Sequence, residues 1–164
     1  MLYVKYEVRP SEINGKGLFL LESVQKGQII ALSVTDANYS TEREYQEEQS
    51  KGDDLMIMTA VRYVGKHFIY TTFIEDEDYI NHSENPTVLY HCGICFAKKD
   101  LKPGDELTVD YRYYLAENDF HRFTDIITGA EIDGYSPKQS LLRSSIELLE
   151  ILKDVSEDWE KNCM

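Results

Sequence analysis

The chain has 164 residues and 42% hydrophobic content, enough for one sizeable core and short for two. Its 17 Lys and Arg stand against 30 Asp and Glu, a formal net charge of -13, which excludes a general nucleic-acid-binding surface. No apolar run approaches the ~20 residues that span a bilayer, and the N-terminal MLYVKYEVRP lacks the apolar region of a signal peptide. We expect one unprocessed domain with a basic partner and no membrane; acidity that merely aids solubility is the alternative.

Three cysteines, Cys92, Cys95 and Cys163, are too few and too unevenly spaced for a disulfide framework, which favours an intracellular location. His91, Cys92 and Cys95 form an H-C-x-x-C pattern, but a strand would point the two cysteines to opposite faces. A fourth zinc ligand is also missing from the pattern. We therefore predict buried free thiols and no metal.

The first 109 residues predict a mainly β domain, because short Val, Ile, Tyr and Phe stretches alternate with turn signals such as Asn14-Gly15 and Pro103-Gly104. None of the predicted strands precedes the crossover helix of a parallel β-α-β unit. The predicted strands are Leu2–Val8, Gly17–Leu21, Ile29–Val34, Met56–Tyr63, Lys66–Thr72, Val88–Ala97 and Leu107–Asp110.

Two helices interrupt or follow these strands. Ser40–Gly52 has a capping residue, Ser40 or Thr41, and few apolar positions, which predicts an exposed helical insert. Ser136-Pro137-Lys138-Gln139 predicts the start of a C-terminal helix that continues to about Glu160. Helical spacing predicts that one apolar stripe packs on the β body, with dimerisation as the alternative. The stripe comprises Leu142, Ile146, Leu149, Leu152, Val155 and Trp159.

Two separate segments carry candidate chemistry. The first, Asn14–Phe19 (NGKGLF), is typical of a hairpin or bulge with positive φ, or of backbone that a cofactor approaches closely. It lacks the third glycine and following helix of a dinucleotide fingerprint. The second comprises Tyr79–Ser83 (YINHS) and, after a predicted strand, LKPGDELTVDY, which ends at Tyr111.

Together these segments resemble a SET domain, whose pattern is G-x-G, N-H-S and a terminal E-L-x-x-D-Y in that order. The resemblance implies a SET-domain β-clip in which the N-H-S segment passes beneath the terminal segment as a pseudoknot. We expect a SET domain over residues 1–116 with the helical insert at about 40–52. Residues 117–164 would form a helical extension packed on the SET core or on a partner chain.

The resemblance also implies an S-adenosylmethionine-dependent methyltransferase that modifies the lysine amine of a basic protein or peptide, such as a histone. Tyr111 aligns with the catalytic tyrosine. The implied cofactor-binding residues are Gly15, Lys16, Gly17, Leu18, Asn81 and His82. The candidate substrate-channel residues are Tyr79, Val109, Tyr113 and Tyr114, with Tyr70 as a weaker candidate. Val109 occupies a position that tunes methylation multiplicity in the family, so multiplicity stays open.

These residue types suit methyl transfer, because an in-line displacement mainly requires a fixed line of nitrogen, methyl carbon and sulfur. The lysine amine, with a pKa near ~10.4, must also lose its proton, which an apolar aromatic channel favours. Tyrosine rings pack on the lysine stem, and their hydroxyls orient the amine without a fixed charge.

The chain departs from many relatives after the N-H-S motif, where it has Glu84-Asn85-Pro86-Thr87 and no cysteine-rich zinc tail. We therefore predict that the segment after Tyr114 covers the lysine channel, with Phe120, Phe123 and Tyr135 as candidates. The acidic run Glu75–Asp78 is either a rim for a basic peptide or a solvated charge run.

Two other functions remain open: a catalytically inactive SET-fold module that binds peptides or proteins, and a methyltransferase for another amine. Small stand-alone SET proteins occur in bacteria and viruses, so we expect a cytoplasmic protein, with nuclear or host-directed placement as alternatives. The sequence leaves monomer and homodimer open.

Overall fold

The computed structural model describes residues 1–33, 37–52, 54–119, 123–153 and 155, except the side chains of Asp54 and Ile57. It confirms a mostly β fold with a few helices. The strands are β1 Tyr6–Pro10, β2 Lys16–Leu20, β3 Ile29–Leu32, β4 Asn38–Thr41, β5 Val61–Val64, β6 His67–Tyr70, β7 Asn81–His82, β8 Val88–His91, β9 Ile94–Ala97 and β10 Glu106–Val109. The helices are α1 Glu42–Lys51, α2 Asp54–Thr59 and α3 Pro137–Lys153, with 3₁₀ turns at Asp76–Tyr79 and Tyr111–Tyr113.

The strands form three small sheets with the orders β1-β2-β10-β7, β3-β9-β8 and β4-β6-β5. Strand β7 runs parallel to β10, with Asn81 opposite Thr108 and His82 opposite Val109. The other neighbouring strands pair in antiparallel fashion. The β7–β10 pair therefore joins the two parts of the second motif segment, which are far apart in sequence, and the pairing of β10 with β2 brings the first segment beside them.

The main core consists mainly of branched aliphatic residues that are almost fully buried. In β2 every residue after Lys16 is buried, because the strand lies between β1 and β10 and is also covered by the core. Burial of each such side chain contributes about 1.5–3 kcal/mol. The core includes Leu18, Leu20, Ile30, Val88, Leu89, Leu101 and Leu107.

Two predicted strands were wrong in part. Met56–Thr59 belongs to helix α2, and the strand β5 begins only at Val61. Such a short apolar run does not distinguish a strand from a buried helical turn. Val88–Ala97 is a hairpin instead of one strand, because Cys92 (φ 48°) and Gly93 (φ 82°) adopt the positive φ of a tight turn.

The helical insert is less exposed than predicted. Thr41 is its N-cap and forms a capping box with Glu44, as the sequence pattern indicates. However, Tyr45 is fully buried and stacks on Phe68 of β6, with ring centroids 4.8 Å apart. The insert and the third sheet thus form a second small core, which positions this sheet beside the main body.

Helix α3 packs on β8 with a face rich in serine instead of the predicted apolar stripe. Its buried residues are Ser140, Ser144 and Ile151, and the Ser144 hydroxyl lies 2.8 Å from Nδ1 of His91. The predicted apolar stripe does not pack on the β body at Leu142, Ile146 or Leu149. Small serines allow a helix to lie close to a strand, which explains why they form the contact.

The helix was predicted to reach Glu160 but ends at Lys153, and Val155 lies in a bend. Trp159 and the rest of residues 156–164 lie outside the described residues. In the described part of the chain, no helix is long and apolar enough to cross a membrane.

A buried arginine connects the third sheet to the C-terminal segment. The side chain of Arg62 is only 2% exposed, and its guanidinium donates to the carbonyl oxygens of Gly65, Leu115 and Tyr135. It also lies 3.7 Å from a carboxylate oxygen of Glu42. Because a buried cation without such partners is costly, this network fixes the segment after β10 against the insert.

We predict that Arg62→Met lowers the free energy of unfolding by about 3 kcal/mol, because three buried carbonyls and Glu42 lose their partner. Lys66→Met is the matched control: Lys66 also lies 3.7 Å from Glu42, but its side chain is 75% exposed. Its removal should change stability by less than about 1 kcal/mol. Urea unfolding curves of both variants measure this, and equal effects would contradict the assignment.

Candidate functional site

The two motif segments meet through the side chain of Asn81. Its Nδ2 lies 3.0 Å from the carbonyl oxygen of Lys16, 3.3 Å from that of Asn14 and 2.9 Å from Oε1 of Glu106. The predicted cofactor-binding asparagine thus also holds the glycine loop in place. The backbone of residues 14–18 is therefore fixed next to the β7–β10 pair.

Gly17 is a position where no other residue fits without rearrangement. A Cβ atom there would lie 2.2 Å from Oε1 of Glu106, which is held by Ser11 as well as by Asn81. Gly15 has a different constraint: its φ of 48° favours glycine, although the surrounding space is open. The two glycines of the motif thus serve different purposes.

His82 is the buried histidine of the site. Its side chain is 6% exposed, and its Nδ1 accepts a hydrogen bond of 3.1 Å from the backbone N–H of Tyr111. Its Nε2 lies 3.6 Å from Oδ2 of Asp125 and has no hydrogen-bond partner among the described residues. Burial lowers the pKa of His82, and the nearby carboxylates of Asp110, Glu84 and Asp125 partly oppose this shift.

Asp125 organises the loop that contains Phe123. Its Oδ1 accepts hydrogen bonds from the backbone N–H groups of Ile127 and Thr128, at 3.0 and 2.6 Å. These bonds lower the pKa of Asp125, so the carboxylate stays ionised beside His82. The loop places the Phe123 ring against Tyr111, with centroids 4.9 Å apart.

Tyr111 lies at the centre of this arrangement. Its hydroxyl donates a hydrogen bond of 2.9 Å to the carbonyl oxygen of Ile80. Its ring packs between Phe123 and Tyr114, whose centroid is 5.7 Å away. The phenol is thus held by these ring contacts and by its hydrogen bond to Ile80.

A cavity of about 190 Å³ opens beside Tyr111. Its inner polar groups are neutral: burial raises the pKa of Cys95 to about 12 and also raises the pKa of Tyr114. The walls are mostly apolar or aromatic. The lining residues are Ser33, Met58, Thr59, Val61, Ile69, Thr71, Ile74, Glu75, Glu77, Asp78, Tyr79, Ile80, Cys95, Tyr111, Tyr114 and Phe123.

Three carboxylates of the acidic run line the same cavity: Glu75, Glu77 and Asp78. Each also stabilises local structure. Glu75 and Asp78 form a capping box, in which the side chain of each accepts a hydrogen bond from the backbone N–H of the other. Glu77 pairs with the N-terminal amine of Met1. The run is therefore an ordered acidic wall of the cavity, whereas the neighbouring Asp76 accepts from Tyr6.

The predicted channel residues separate into two groups. Tyr79 and Tyr114 line the cavity together with Tyr111. Tyr113 lies on the other side of the segment, where its hydroxyl donates to Glu147 of α3, and Val109 is fully buried in the core. Neither is among the residues that line the cavity.

Of the residues predicted to cover the lysine channel, the structure places only some at the cavity. Phe123 lines the cavity, whereas Tyr135 packs against Tyr113 at 5.2 Å between centroids. Phe120 lies outside the described residues. Tyr70 packs against the second core instead of the cavity.

Several lining residues were not predicted, notably Met58, Ile74 and Cys95. They come from α2, from the segment after β6 and from β9, so only long-range packing brings them together. Cys95 and Cys92 are free thiols, as predicted. Within the described residues, no group of three or more His, Cys, Asp or Glu side chains is arranged to hold a metal.

We predict that stability falls as the pH decreases from about 7.5 to 5.5, because the unfolded chain binds protons near pH 6.5 while folded His82 resists protonation. His82→Gln should reduce this slope, since it removes one group whose pKa is lowered on folding. His91, whose pKa is also lowered by burial, should account for part of the remainder. Urea unfolding across this range measures the slope, and an unchanged slope in His82→Gln would refute the assignment.

Comparison with known proteins identifies the arrangement. The SET domain family matches residues 15–112. The histone-lysine N-methyltransferase ASHH2 of Arabidopsis thaliana is 33% identical over 132 aligned residues, which cover 68% of this chain but only 7% of that protein. The SET domain protein DIM-5 of Neurospora, a histone lysine methyltransferase, shares the fold with a TM-score of 0.53 and 17% identity, over 67% of this chain and 53% of its own. The chain belongs to the SET domain family.

Proposed function

We propose that this protein transfers the methyl group of S-adenosylmethionine to the side-chain amine of a lysine in a basic protein, such as a histone. The observation that carries the proposal is the position of Tyr111, between the β7–β10 pair and an aromatic cavity. SET methyltransferases generally use this cofactor, and the relatives described above are histone-lysine methyltransferases by name.

The residues of the glycine loop fit such a cofactor. Gly15 adopts a positive φ in open surroundings, so its backbone is accessible, and Asn81 holds the loop through the Lys16 carbonyl. The buried Nε2 of His82 still lacks a hydrogen-bond partner among the described residues. When bound, S-adenosylmethionine supplies an electrophilic methyl group on a sulfonium. The loop backbone, Asn81 and His82 would hold its amino-acid and adenine portions.

The cavity suits a lysine side chain. Apolar side chains such as Ile69 and Val61 can contact the aliphatic stem, and Tyr79 and Tyr114 provide aromatic surface. Because the inner groups are neutral, the environment favours the uncharged amine that must attack the methyl group. The proton is therefore lost before or during entry into the inner cavity.

Tyr111 would orient the amine. Its hydroxyl donates to the Ile80 carbonyl, which fixes the direction of the phenol, and the phenol oxygen would accept from an N–H of the substrate. The packing of Phe123 and Tyr114 keeps the phenol in this position. Such positioning lowers the barrier of an in-line transfer without a general base at the tyrosine.

We predict that Tyr111→Phe lowers kcat about 100-fold, the size of effect seen when one preorganised polar group at a reacting centre is removed. Tyr39→Phe is the matched control, because Tyr39 is an exposed tyrosine of strand β4 in the third sheet. Transfer of labelled methyl to a panel of basic proteins measures both, and calorimetry measures cofactor affinity. Peptide binding with no transfer by the wild type would instead favour the inactive binding module.

The acidic wall favours a basic substrate. Glu75, Glu77 and Asp78 line the cavity of a chain whose net charge is -13, so a lysine flanked by further basic residues gains attraction on approach. Their capping bonds hold these carboxylates in position, which reduces the entropy lost when a cation binds.

We predict that Glu77→Gln raises KM for a basic lysine peptide roughly two- to fivefold, the size of a partly exposed ion pair. Glutamine keeps an oxygen that can accept from the N-terminal amine. Glu47→Gln, the same charge change on α1 and away from the cavity, should leave KM unchanged. Added salt should reduce the difference between the two variants, and a salt-independent difference would count against an electrostatic role.

A further inference from the structure

Helix α3 presents an apolar face to solvent. Leu142, Ile146 and Leu149 are 55%, 49% and 56% exposed, and Leu141 beside them is 43% exposed. The first three recur at i, i+4 and i+7, so they form one continuous stripe. We propose that this stripe is a homodimer interface, in which α3 of two copies pack antiparallel about a two-fold axis at Ile146. This inference is independent of the proposed enzymatic activity.

The opposite face of α3 is firmly attached to its own protomer. The Ser144 hydroxyl contacts His91, and the Glu147 carboxylate accepts from both Lys98 (2.7 Å) and Tyr113. Ile151 is buried against the main core. These contacts fix the rotation of the helix so that the stripe faces solvent. The helix cannot turn the stripe inward without breaking them.

The helix sequence is complementary to itself in the antiparallel direction. With the axis at Ile146, Leu142 of one copy packs near Leu149 of the other, and Ile146 packs against its own equivalent. On the flank of the stripe, Arg143 lies beside Glu150 of the second copy, and the two-fold axis repeats this ion pair. A closed two-fold interface requires this kind of self-complementary pattern.

Charge also favours a second copy at this face. The chain as a whole carries -13, and so two copies repel one another over most of their surface. The α3 sequence PKQSLLRSSIELLEILK, by contrast, has three basic and two acidic residues. Lys138 approaches Lys153 of the other copy at the ends of the pair, but both side chains are exposed and their repulsion is screened.

The face is smaller than a standard interface, so we expect a dimer of micromolar affinity. The stripe lies on α3, and none of its residues lines the cavity beside Tyr111. Dimerisation therefore leaves both cavities open.

Sedimentation velocity over about 1 to 200 μM tests the proposal. The wild type should shift from monomer to dimer, and Ile146→Glu should remain monomeric, because it places two carboxylates at the axis. Leu21→Glu is the control: Leu21 is equally exposed but lies outside α3. A wild type that stays monomeric throughout, or an Ile146→Glu variant that still dimerises, would overturn the interface.

A charge exchange tests the register. Arg143→Glu and Glu150→Arg should each weaken self-association at least tenfold, because like charges then meet across the axis. An equimolar mixture of the two single variants should form a heterodimer with both ion pairs restored. Thermal unfolding of each variant verifies folding, which Arg143→Glu could disturb through the Tyr135 ring. If the mixture associates no better than either variant alone, the antiparallel arrangement is wrong.

Discussion

The parallel pairing of β7 with β10 is the constraint on which the site depends. It places Asn81 and His82 next to Thr108 and Val109, so that Nδ1 of His82 and the backbone N–H of Tyr111 come within hydrogen-bonding distance. Because β10 also pairs with β2, the glycine loop joins the same place. The motif segments are thus held together at a short strand pair whose residues are mostly buried.

The cavity beside Tyr111 combines charged and neutral groups. Three carboxylates line it, and burial keeps Cys95 and Tyr114 of the same lining neutral. Carboxylates attract a cationic side chain, whereas buried neutral surroundings disfavour its charge. In the function that we propose, this combination serves both the attraction of a lysine and its deprotonation.

The segment after β10 is attached at two points. Asp125 holds the loop that presents Phe123 to Tyr111 and lies beside His82, while Arg62 donates hydrogen bonds to the backbone carbonyl oxygens of Leu115 and Tyr135. Helix α3 then packs on β8 with its serine face. These contacts place Phe123 at the cavity and leave the apolar stripe of α3 exposed.

Local sequence alone determined the mostly β fold, the cap at Thr41 and the motif residues around Gly17, Asn81 and Tyr111, because turn chemistry and backbone approach require particular residue types. Tertiary structure decided which side chains meet in the cavity, since Met58 and Cys95 arrive from separate elements. It also decided the face of α3. Periodicity identifies an apolar stripe, but only the shape of β8 and the position of His91 determine that small serines are buried and the leucines stay exposed.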